Sequence, residues 1–163
     1  MNKQKKTWES VYGARLLLVA EKLESLPKER FYFNHWVGDD WKGATDLSCG
    51  TTACALGWAT TIPKLRELGL HLEHLKYINM AGGYNAITLR TRTGLGAAME
   101  LFNIMEDEAE SMFIPGDEFD DPLSICGRNI DRLSPDATAK QVARRIRAFV
   151  KNKTRYLAKV RDE

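Results

Sequence analysis

The sequence predicts a mainly α, compact single-domain bundle of about six helices, with room for a minor β-hairpin. Three observations lead there. Apolar residues recur at three- and four-residue spacing near both ends of the chain. The run Ser48-Cys49-Gly50-Thr51-Thr52-Ala53-Cys54-Ala55-Leu56-Gly57-Trp58-Ala59 consists largely of residues small enough for another backbone to approach closely. The 163 residues are 44% hydrophobic and 28% charged, an ordinary globular composition, and a chain of that length buries about two-thirds of its unfolded surface.

In chain order, Met1 to Lys6 is a basic tail. Thr7 is a fitting N-cap for a helix to about Ser25, on which Trp8, Val11, Tyr12, Arg15, Leu18, Val19, Lys22, Leu23 and Leu26 follow helical spacing, and Pro27 ends it. Phe31 to Val37 is aromatic and packs, and Gly38 to Gly43 reads as a turn. The small-residue helix is expected from about Cys49 to Thr61, capped by Ser48 or Asp46. Pro63 to Leu68 starts a short helix that Gly69 stops. His71 to Met80 fits no single pattern. Ala81 to Asn85 reads as a turn and Ala86 to Thr91 as a short strand. Thr93-Gly94-Leu95-Gly96 opens a helix through Phe102, and Glu106 to about Phe113 forms another, with acids in its first turn. An acidic loop spans 115–135. Last comes a basic helix over 139–160, with a Thr138/Gln141 capping box and an inner stripe of Val142, Ile146, Phe149, Val150 and Leu157.

No apolar run approaches the roughly 18 residues of a membrane span, no secretory signal is visible, and three cysteines without one point to a reducing cytoplasm. The formal charge of +2 is too small to imply a polyanion partner, but it is unevenly spread. Glu106 to Asp121 holds eight acids and no Lys or Arg, whereas Lys140 to Arg161 holds nine bases and no acid. Two solvated faces that attract each other explain this most simply. A nucleic-acid surface on the C-terminal helix is the sharper alternative, weakened in its single-strand form by the few aromatics among those bases.

The segment Cys49 to Ala59 resembles C-G-T-x-x-C-x-x-G-x-A, a motif of small uncharacterised phage and bacterial proteins. Their "Leu-Pro…Phe…Trp" lead-in looks like Leu26-Pro27 through Phe31 or Phe33 to Trp36. Their "Ala…Leu-Phe" helix and C-terminal Ala/Arg-rich helix look like Glu108–Phe113 and Ala139–Val150. The stretch from Leu65 to Leu95 is longer than the pattern needs. The resemblance implies an architecture built on Cys49, Gly50, Thr51, Cys54 and Gly57, and a phage or mobile-element setting in the host cytoplasm. It implies no catalytic residues.

Cys49 at a helix start would have a depressed pKa, and His35, His71 and His74 are the only imidazole bases for it. Together with Gly82 to Leu89 it resembles papain-like peptidases, but Tyr84 and Asn85 stand where those carry histidine, which removes the base. Cys54 reads as packing. Zinc on Cys49, Cys54, His71 and His74 is disfavoured, because residues five apart on a helix lie about 140° apart. No metal, cofactor or catalytic residue is assigned.

The segment Arg90-Thr91-Arg92-Thr93-Gly94-Leu95-Gly96 carries the favoured function. Two guanidinium groups, Thr93, and a glycine-lightened helix start at Gly94 and Gly96 suit a phosphate, although neither a Walker loop nor the dinucleotide fingerprint is present. Trp36, Trp41 or Tyr84 would stack on a base. A flexible loop with solvent-facing arginines accounts for the same residues without a ligand. The expected function is a non-enzymatic binding module for a small phosphorylated or nucleotide-like ligand, counteracting host defence signalling. The alternative is a protein-interaction domain that uses its charged surfaces on a host protein or on a second copy of the chain.

Overall fold

A computed structural model describes residues 7–33, 47, 53–76, 83–114 and 133–161. Within them lie six α-helices, α1 (Ala14–Glu24), α2 (Ala55–Ala59), α3 (Pro63–Arg66), α4 (Gly94–Phe102), α5 (Glu106–Phe113) and α6 (Ala139–Lys159). Three strands, β1 (Leu70–Lys76), β2 (Gly83–Leu89) and β3 (Arg92–Thr93), form one antiparallel sheet in the order β1-β2-β3. The protein is mainly α with a minor sheet, as the periodicity implied. No helix among the described residues is long and apolar enough to cross a membrane.

The N-terminal helix begins with a π turn, Glu9–Gly13, before α1. Thr7 caps it: its Oγ1 accepts from Ser10 N–H at 3.2 Å, and Ser10 Oγ accepts from Thr7 N–H at 3.0 Å. The extra residue of the π turn rotates the inner face, so that Gly13, Leu16, Val19, Ala20 and Leu23 are buried. That face packs along α6, where Val142, Ala143, Ile146 and Val150 point inward. The capping box of α6 forms as expected, with Thr138 Oγ1 accepting from Gln141 N–H and Gln141 Oε1 accepting from Thr138 N–H.

Two expectations are corrected. The small-residue helix does not run from Cys49 to Thr61. Phe31 and Ala53 form an isolated parallel bridge, with Tyr32 N–H donating to Ala53 O at 3.2 Å, which holds the chain extended through Cys54. Helix α2 therefore starts at Ala55, and Cys54 is its N-cap instead of Ser48 or Asp46. Cys49, Gly50 and Thr51 lie outside the described residues. The second correction concerns 81–85: Gly83, Tyr84 and Asn85 belong to β2, which pairs with β1 from Leu70↔Leu89 to Lys76↔Gly83.

All five residues of α2 are buried, so this short helix sits within the core. Trp58 fixes its orientation. The indole N–H donates to Arg30 O at 2.9 Å, while Lys22 Nζ and the Arg30 guanidinium lie 5.3 and 4.9 Å from the ring centroid. Phe31 and Phe33 stack beside the segment at 6.1 Å and are buried, so these aromatics serve packing.

Candidate functional site

The phosphate-type segment lies where β2 turns into β3 and runs straight into α4. Residues Leu89 and Arg92 pair across a two-residue turn of Arg90 and Thr91. Arg90 adopts φ +54°, the left-handed region that such hairpin turns require and that Asn or Gly normally fills. Thr93 is extended, and Gly94 at φ +51° reverses the chain into the first turn of α4. These backbone choices bring Arg90, Arg92, Thr93, Gly94 and Gly96 into one corner.

Arg92 lies along the first turn of α4: a Cβ placed on Gly96 would sit 3.8 Å from Arg92 Cδ. Its guanidinium forms no ion pair among the described residues. Arg90 points one helical turn further. Its Nη1 donates to Glu100 Oε1 at 3.0 Å, in a pair whose arginine is 75% exposed and whose glutamate is 33% exposed. Thr93 occupies the N-cap position without a side-chain hydrogen bond, leaving the opening N–H groups of α4 unserved by a cap. A positive helix end thus meets the Arg90 guanidinium, paired with Glu100, and that of Arg92, which is unpaired among the described residues.

The far end of α4 is held by the N-terminal segment. Asn103 takes a left-handed φ of +48° as C-cap, the Trp8 indole N–H donates to Asn103 O at 3.1 Å, and Arg15 Nη1 donates to Leu101 O at 2.7 Å. Those contacts satisfy two of the carbonyls at this helix end and tie α4 to the N-terminal segment.

Tyr84, another expected site residue, is not gathered here. Tyr84 sits opposite Leu75 in β2, five residues before Leu89 and so about 17 Å along the strand from the hairpin turn. That separation removes it from a small site at Arg90 and Arg92. Trp36 and Trp41 lie outside the described residues. Glu100 went unnoticed in the sequence, because only the left-handed turn at Arg90 aims the arginine at it.

Cys54 and His71 have structural roles. Cys54 Sγ accepts from Gly57 N–H at 3.5 Å as the cap of α2, and burial pushes its pKa up to about 11. It is therefore a thiol at neutral pH and not a nucleophile. His71 Nδ1 lies 2.8 Å from Gly69 O, so it must donate to that carbonyl, leaving Nε2 to accept from Thr88 Oγ1 at 2.8 Å. His74, three residues along β1, projects from the opposite face of the sheet. Cys54, His71 and His74 do not converge.

Comparisons with protein-family models, curated proteins and solved structures return no match to the chain.

Proposed function

We propose that the protein is a non-enzymatic binding module that captures a small phosphorylated, nucleotide-like ligand between the β2–β3 turn and α4. The observation that carries this reading is the side-chain-uncapped first turn of α4 beside Arg92, which lies against Gly96. Backbone N–H groups at a helix start and a planar guanidinium are the two donor types that suit phosphate oxygens. Arg90 adds a second guanidinium once it exchanges Glu100 for the ligand. Such an exposed ion pair is worth only about 0–1 kcal/mol, so a dianionic phosphate displaces it at little cost. The phage or mobile-element setting implied by the motif around Cys54 makes defence-signalling cyclic nucleotides the first ligand class to test.

Calorimetry against a cyclic-nucleotide panel tests the reading. The parent protein is expected to bind a member of the panel, and Arg92→Ala to weaken it roughly 10- to 100-fold, the worth of a charge-assisted hydrogen bond. Arg90→Ala costs less, and Glu100→Gln tightens binding by releasing Arg90. Unchanged affinity in Arg92→Ala, or no binding by the parent, overturns the proposal.

A further inference from the structure

Helix α6 carries a second cationic feature that the phosphate-ligand reading does not use. Its buried residues, Ala139, Val142, Ala143, Ile146 and Val150, define the face turned to the core. On the outward side, Lys140, Arg144, Arg147, Lys151, Arg155 and Lys159 recur at steps of three or four and are all exposed. At 100° per residue these six project within an arc of about 120°, and at 1.5 Å per residue they extend over about 28 Å. No Asp or Glu occurs anywhere on the helix. The carboxylates facing this ridge from α1 are Glu24 and Glu21. Glu24 holds Arg147 in a two-pronged pair, with Nε–Oε1 and Nη2–Oε2 both at 2.8 Å, and Glu21 acts on Arg147 through its charge. The remaining five cations form no ion pair among the described residues.

We infer that α6 presents a docking ridge for the phosphate backbone of duplex DNA, bound without regard to sequence. Protein interfaces draw their affinity from aromatic or apolar anchors seated in pockets, and exposed single ion pairs add little. Among the described residues of this ridge the apolar ones are Ala148 and Ala158, too small to serve as anchors. A polyelectrolyte changes the balance, because each phosphate neutralised releases condensed counterions. Single strands bind through bases stacked on aromatic side chains. Phe149, the buried-side aromatic of α6, is already engaged edge-on with Trp8 at 6.1 Å, and Tyr156 lies off the stripe. The wide major groove of B-form DNA, about 12 Å, accepts a body of helical width, whereas the narrow A-form groove does not. Lysine and arginine contacts to phosphate alone read no bases, hence the sequence independence.

The salt dependence of binding to a labelled duplex of arbitrary sequence, followed by fluorescence anisotropy, tests the inference. Five cations unpaired among the described residues predict a slope of log K against log[salt] near −4.5, or about a 500-fold loss of affinity between roughly 50 and 200 mM salt. The double variant Lys151→Gln/Arg155→Gln should make the slope shallower by roughly 2, while Lys151→Arg/Arg155→Lys restores it. Unchanged circular dichroism melts confirm that these exposed substitutions leave the fold intact. No duplex binding at about 50 mM salt, or a slope unmoved by the double variant, overturns the inference. Equal or tighter binding of a single strand, or displacement of the duplex by a polyglutamate peptide of equal charge, overturns it as well. Arg92→Ala separates this inference from the phosphate-ligand site: it should leave the duplex slope unchanged. If Arg92 rather than α6 sets the slope, the ridge assignment fails and the small-ligand reading stands.

Discussion

Cys54 shows how one side chain links packing to pH. Its thiol is fully buried, caps α2, and ionises only near pH 11 because burial disfavours the thiolate. In the unfolded chain a cysteine ionises near 8.5–9. The folded pKa is thus raised, so the stabilisation is complete below about pH 9 and is lost as pH climbs toward 11. Denaturant midpoints at pH 8 and pH 10.5 should reveal a loss on the order of 2–3 kcal/mol. Cys54→Ser, which keeps a cap and removes the titration, should flatten that alkaline limb relative to the parent. The sequence identified the segment as a structural centre but put the cap near Cys49. The correction depends on the bridge between Phe31 and Ala53, a pairing across a long stretch of chain with no local signature. Arg90 was equally illegible in its geometry: nothing in the residue type announces a left-handed φ.

At the level of elements, caps and periodicity served well wherever the determinants were local. The bounds of α4 and α5 and the capping box of α6 follow from glycine, acidic and Thr/Gln signals close in sequence. The N-terminal helix was legible in extent but not in phase, because a π turn shifts the inner face to Gly13 and Leu16, leaving Arg15 to reach Leu101 O. Gly13 is where this shift brings two elements close. A Cβ there would meet Trp8 Cζ3 at 3.2 Å and Val150 Cγ1 at 3.3 Å. Neither neighbour yields readily, since Trp8 is tied to Asn103 O and Val150 is buried in α6. Gly13→Ala gains up to about 1 kcal/mol of helix propensity but incurs roughly 1–3 kcal/mol of overpacking. A lowered urea midpoint with unchanged slope is the expected result. The sheet was read only in part, because the glycines at the start of β2 suggest a turn and the pairing partner β1 has mixed polarity.

Across the whole molecule, distant segments converge on Lys153. Its Nζ lies 2.5 Å from Glu108 Oε2 and 5.2 and 5.5 Å from the ring centroids of Trp8 and Phe149, so it joins α5, α6 and the N-terminal segment. Its side chain is only 15% exposed and that of Glu108 26%, and the same Glu108 oxygen accepts from Met105 N–H at 2.8 Å. Lys153→Met keeps the length but strands a half-buried carboxylate. A loss of roughly 1–3 kcal/mol is expected in thermal unfolding, and Lys153→Met/Glu108→Gln should recover part of it. Between the acidic and basic regions foreseen from composition, Glu108 and Lys153 form such a pair among the described residues, whereas Arg147 is held by Glu24 from α1 instead. The packing of α1 along α6 also bears on biosynthesis. A ribosome delivers α1 early and its partner late, so Leu16, Val19, Ala20 and Leu23 await their cover until translation passes Val150. Nascent chains halted before that point carry a naked apolar stripe, a surface that chaperones and quality-control proteases recognise.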